Sequence, residues 1–184
     1  MKSLSEPIVR MANAEDNCKG RFWEGRFKCQ ALLNENAILA VCTFVDLNPI
    51  RAGIATSVTL SKHTGIVKRA KALPKQPALA TQALTPLAGI ISANFPKINQ
   101  AEYIALADWT GRRLHPGKRG KIAAGEPPAL RKLGLDAARW TMKVKGIGSG
   151  YWRAVGTVEE LAQKAKTIGQ QWLCGMGLAR LIQR

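Results

Sequence analysis

Residues 20–53 read GRFWEGRFKCQALLNENAILAVCTFVDLNPIRAG. The second half of this stretch predicts a helix. Asn34 is placed to cap it, and Glu35 puts negative charge in its first turn. Ala37, Ile38, Val41, Cys42, Val45 and Leu47 recur at helical spacing, with Leu39 and Phe44 broadening the apolar face. Pro49 disfavours helical geometry at Asn48, so the helix is expected to end there, with Arg51, Ala52 and Gly53 as a short turn. The first half differs in kind. Gly20 and Gly25 flank Phe22 and Trp23 and argue for a loop, while Lys19, Arg21, Arg26 and Lys28 are set against a single acid, Glu24. Cations beside Phe22, Trp23 and Phe27 suit phosphate contact and base stacking; Trp23 and Phe27 equally suit anchoring the loop to a core.

Upstream, Glu6, Pro7, Ile8 and Val9 suggest a short helix that opens as if cut into an existing element. Phe22–Lys28 and Ile54–Leu60 are the only strand candidates, both with weak alternation. A basic amphipathic helix is expected over Lys62–Leu73, capped by Ser61 and carrying Lys68 and Arg69 opposite a stripe of Ile66, Val67, Ala70 and Leu73. Pro74–Pro96 has no clear period and reads as a connector. Asn99 and Glu102 form a cap for a helix expected to stop at Gly111, and Pro127 opens a short helix stopped by Gly134. Asp136 caps a helix to about Lys145, and Thr157–Glu160 is a capping box for one stopped by Gly169. A last helix is expected over Gln170–Gln183, interrupted by Gly175 and Gly177. With its neighbour it makes either a helix-turn-helix or a plain helical hairpin.

The chain of 184 residues holds 28 Lys and Arg against 12 Asp and Glu, a net charge of +16, and is 46% apolar. The apolar share is enough for a packed core. The charge excess points to a polyanionic partner, nucleic acid first. It is densest from Arg112 to Arg153, where eleven cations against two acids leave +9. Cys18, Cys29, Cys42 and Cys174 lack CxxC or CxxH spacing, so neither a zinc site nor a disulfide framework is expected. Free thiols, no N-terminal apolar run and no stretch of bilayer length lead to the expectation of a cytoplasmic protein without a membrane partner.

The joint pattern of Trp23-Glu-Gly-Arg-Phe-Lys28 and Asn48-Pro-Ile-Arg-Ala-Gly53 resembles the bacterial single-tyrosine transposases of the His-hydrophobic-His superfamily, in their REP-associated branch. The likeness covers residues 13–55, and Asp108-Trp-Thr-Gly-Arg112 is similar to a downstream segment of longer members. The resemblance implies the C-terminal part of an α/β domain with an antiparallel sheet, most of whose strands belong upstream. It implies DNA as partner, single-stranded or hairpin, and the option of a homodimer. Family members use a divalent metal such as magnesium or manganese, held by a histidine pair, and a tyrosine that attacks the phosphodiester. The position matching that tyrosine is Phe44, which has no oxygen to attack with. His63 and His115 make no His-x-His pair. No catalytic residue, metal ligand or cofactor is therefore expected in this chain. Tyr103 is expected to be buried. Tyr151 follows Gly-Ser-Gly in a basic stretch and could touch DNA, but it has no metal pair with which to cut it.

The expected fold is mainly α. Residues 1–60 form the C-terminal remnant of a transposase-like catalytic domain, 61–97 a basic helix and Pro-rich connector, and 98–184 a basic helical domain. The expected function is that of a transposase-family DNA-binding protein that does not cleave. The alternatives are a repurposed, non-catalytic DNA- or RNA-binding regulator, and a partner subunit of an active transposase. The residues expected to meet nucleic acid are Arg21, Trp23, Arg26, Lys28, Arg51, Lys68, Arg69, Arg112, Arg113, Lys118, Arg119, Lys121, Lys143 and Lys145.

Overall fold

The computed structural model describes residues 2–23, 29–84, 98–114, 125–151 and 153–183. They are mainly helical and divide into two compact units, Met1–Gln30 and Ala31–Arg184. The first unit holds α1 (Lys2–Glu15), which is longer than expected and contains Pro7 at the loss of one backbone hydrogen bond. Arg10 donates to Glu6 one turn earlier at 2.6 Å. Beyond the helix, Asn13 Nδ2 donates to the Gly20 carbonyl at 3.2 Å and folds the chain back.

The second unit opens with β1 (Ala31–Leu32), paired in parallel with β2 (Ala154–Val155) in the register Ala31 to Ala154. These two short strands are the only sheet among the described residues. α2 (Glu35–Asp46) starts where expected, with Asn34 Oδ1 accepting from the Ala37 N–H at 2.8 Å. Its end differs. The chain stays in helical geometry through Leu47 and turns again as α3 (Asn48–Arg51), because Pro49 falls in the first turn of that helix, where a missing N–H is harmless. Ile54–Leu60 is not a strand; it holds a 3₁₀ turn at Val58–Leu60, with Val58 buried and Leu60 outside. α4 (Gly65–Ala72) begins after Thr64 rather than Ser61, because the Ser61 hydroxyl is buried and donates to the Ser57 carbonyl at 2.9 Å. α5 (Ala78–Thr81) lies in the expected connector, whose residues 85–97 are outside the described residues.

α6 (Gln100–Leu114) has the expected reciprocal cap. Asn99 Oδ1 accepts from Glu102 N–H at 2.8 Å and Glu102 Oε2 from Asn99 N–H at 3.1 Å. Gly111 does not end it. Gly111 is buried, and a Cβ there would stand 3.0 Å from Leu47 Cδ2, so its bareness lets α3 and the end of α2 close on α6. α7 (Pro128–Lys132) and α8 (Ala137–Ser149) follow, the latter running past Lys145. α9 (Val158–Thr167) carries the capping box of Thr157 and Glu160. Residues 170–175 are not helical, and α10 (Met176–Gln183) starts only after them.

α6 and α8 form the centre. α8 packs on α2, α6 and α10, and α6 packs on α3, α4, α5 and α7. The fully buried Trp140 of α8 donates its indole N–H to Thr110 Oγ1 of α6 at 2.8 Å, and that hydroxyl donates to the Leu106 carbonyl at 2.6 Å. Two polar groups thus lie in the core with their hydrogen bonds made. Glu160 Oε2 joins the two ends of the unit, accepting from the Thr157 N–H at 2.8 Å and from Asn34 Nδ2 at 2.5 Å. The boundaries expected after residues 60 and 97 fall inside this unit, because the apolar face of α2 finds its partner in α8. No described helix is long and apolar enough to cross a membrane.

Candidate nucleic-acid interface

Phe44 lies at the seam between α2 and α8. A Cβ on Gly148 of α8 would stand 3.1 Å from Phe44 Cε2 and Cζ, so the ring reaches the bare surface that this glycine leaves. A face of the ring is covered by Arg51, whose Cζ lies 3.8 Å from the ring centroid. α3 sets this distance. Because the chain turns helically again after Leu47, Arg51 comes back over the last turn of α2 instead of running away from it. An exposed guanidinium on a phenyl face gains about 0.5–1 kcal/mol, enough to bias its orientation while its N–H groups stay open to a ligand. Lys145 is exposed one turn before Gly148 on the same side of α8 and adds a second cation.

Two further arginines lie over rings. Arg113 Cζ is 5.2 Å from the Trp109 ring centroid, and Arg69 Cζ is 5.6 Å from that of Tyr103. Both arginines are exposed, as is Lys68. Arg112 is exposed but bound to Asp108 at 2.6 Å, which partly neutralises it. No acid among the described residues lies within ion-pair distance of Arg51, Lys68, Arg69, Arg113 or Lys145. In the first unit Arg21 is exposed, and Trp23, 46% exposed, meets Phe22 edge to face at 4.8 Å. Arg26, Phe27, Lys28, His115, Lys118, Arg119 and Lys121 lie outside the described residues.

Three expectations are corrected. Lys143 is only 6% exposed, and desolvation holds its ammonium below the usual lysine range, with Glu160 pulling the other way. It falls on the face of α8 that carries Trp140, Val144 and Ile147, a spacing that marked it as inward from the start. Tyr151 is 3% exposed and its phenol is pushed up to about 12 by burial, so it does not present itself to DNA. The connection from α9 to α10 spans residues 168–175, longer than the three or four residues that join a helix-turn-helix. Tyr103 is buried as expected. Its hydroxyl donates to Asp46 Oδ2 at 2.6 Å, and burial, reinforced by that carboxylate, raises its pKa.

No three His, Cys, Asp or Glu side chains gather among the described residues, and His63 stands exposed with a left-handed backbone, φ +65°. Sequence reasoning missed Trp172, which is 67% exposed, because it drew one helix through Gln170–Gln183. The pair Gly169 and Gly175, both at positive φ, was the signal that a loop intervenes. No protein-family model, no curated protein and no solved structure was found to match the chain.

Proposed function

We infer that this chain binds single-stranded or hairpin DNA in the manner of a transposase-family protein and does not cleave it. The Arg51–Phe44 stack carries the reading. At the position where the resemblance calls for a tyrosine, the ring has no hydroxyl and instead braces a cation suited to phosphate. The net charge of +16 and the exposed Lys68, Arg69, Arg113 and Lys145 extend the same chemistry over the second unit.

The test has two arms. Binding of a labelled hairpin is measured against salt. The expected slope of log K on log salt is about −0.7 for each single-strand phosphate neutralised, so contacts to about three phosphates give a fall of roughly tenfold or more over a fourfold rise in salt. An affinity indifferent to salt overturns the electrostatic account. The same hairpin incubated with magnesium or manganese yields no covalent protein–DNA adduct, and Phe44→Tyr alone yields none either. An adduct on the unaltered chain overturns the non-cleaving reading.

A further inference from the structure

The loop between α9 and α10 turns a large aromatic outward. Trp172 is 67% exposed while its neighbour Leu173 is 2% exposed. The backbone enforces this. Gln170 N–H donates to the Ala165 carbonyl at 2.8 Å as the chain leaves α9, and buried Leu173 pins the middle. At the far end Gly175 takes φ +105° and lies against the Tyr151 ring, where no side chain fits. Arg153 is exposed beside this loop, and its carbonyl is fixed by the Ala31 N–H at 2.8 Å through the β1–β2 pairing. Arg153, Gln170, Gln171, Trp172, Leu173 and Cys174 line an open pocket of about 440 Å³, within the usual range of small-ligand sites of about 300–1,000 Å³.

The lining selects the ligand. An indole face stacks flat π systems, glutamine amides offer donor and acceptor to a base edge, and a guanidinium meets phosphate. A purely apolar ligand would leave both amides and the cation unmatched. We propose that this pocket is a subsite for one unpaired nucleotide, with its base on Trp172, its edge on Gln170 or Gln171 and its phosphate on Arg153. This rests on the nucleic-acid reading above and deepens it: bases inside a duplex are stacked and paired and cannot reach the indole.

The full chain is titrated by fluorescence anisotropy with a single-stranded oligonucleotide, the same strand carrying abasic sites, and a duplex of equal charge, in DNA and RNA forms. Trp172→Ala is expected to weaken binding to the intact strand about tenfold and to leave the abasic strand and the duplex unchanged, whereas Trp172→Phe keeps most of the affinity. Arg153→Ala lowers the salt slope by about one phosphate contact. Because Trp172 is exposed, Trp172→Ala should melt at the wild-type temperature; if it does not, Trp172→Leu replaces it in the same comparison. A loss confined to DNA or to RNA supports the subsite and names its strand. Wild-type binding with no loss in Trp172→Ala, or an equal loss on the abasic strand, overturns the subsite and leaves the nucleic-acid reading standing. A wild-type chain that binds no oligonucleotide at low salt overturns that reading, and the subsite with it.

Discussion

Lys143 and Arg51 carry the same formal charge and meet opposite surroundings. Arg51 spreads over a ring with its edge in water; Lys143 is enclosed. A lysine whose folded-state pKa is lowered binds fewer protons folded than unfolded, so stability rises with pH between that lowered value and the ordinary 10.5. Lys143→Met keeps the stem and removes the charge. It is expected to stabilise the protein near neutral pH by on the order of 1 kcal/mol and to flatten the gain toward alkaline pH. Thermal melts of both proteins at neutral and alkaline pH check this, and an identical pH response would show that Lys143 titrates normally. Lys143 and Tyr103 were open to the same reading, since each lies on an apolar helical stripe. Charge drew the eye to the wrong face for one of them.

Four helix starts were legible because their caps are local. Asn34, Asn99, Asp136 and Thr157 each bond a backbone N–H three residues on. What stops or interrupts a helix was less so. Gly111 continues α6 because Leu47 and Ile50 close against it, and residues 170–175 leave the helix because Leu173 is drawn into the core; both depend on elements far along the chain. The candidate interface divides the same way. The basic residues could be counted, but the ring under Arg51 could not be assigned without the turn of α3 after α2, nor the one under Arg113 without α6 running past Gly111. Glu160 shows how elements become coupled, since one oxygen serves the starts of both α9 and α2. Thr157→Ala is expected to cost about 1 kcal/mol and Glu160→Ala about 2 kcal/mol, because the second change also releases Asn34 and withdraws the negative charge that acts on Lys143. Urea unfolding of Asn34→Ala, Glu160→Ala and the double variant measures the coupling. Additive effects would mean that the two helix starts are independent.

For the molecule as a whole, β1 with β2 and Asn34 with Glu160 tie residues 31–34 to residues 154–160. A three-part division could not foresee this, because composition along a chain does not reveal which distant segments pair. A chain ended after Gly156 is expected to lose its cooperative unfolding transition, and with it the salt-dependent DNA binding proposed above, since α10 then no longer covers α8. Circular dichroism melts and the hairpin assay check it, and a shortened chain that still melts sharply would sink the expectation.

The packing of α2 on α8 also governs how the protein comes into being. A chain is made from its amino end, and roughly ninety residues separate the last turn of α2 from the first of α8. Through all of that synthesis the face of α2 that carries Phe44 has no α8 to lie against. The second unit therefore cannot fold segment by segment as it emerges. Its earliest helix waits for one made about ninety residues later, and a nascent chain stalled before α8 carries an uncovered face of α2 open to aggregation or to a chaperone.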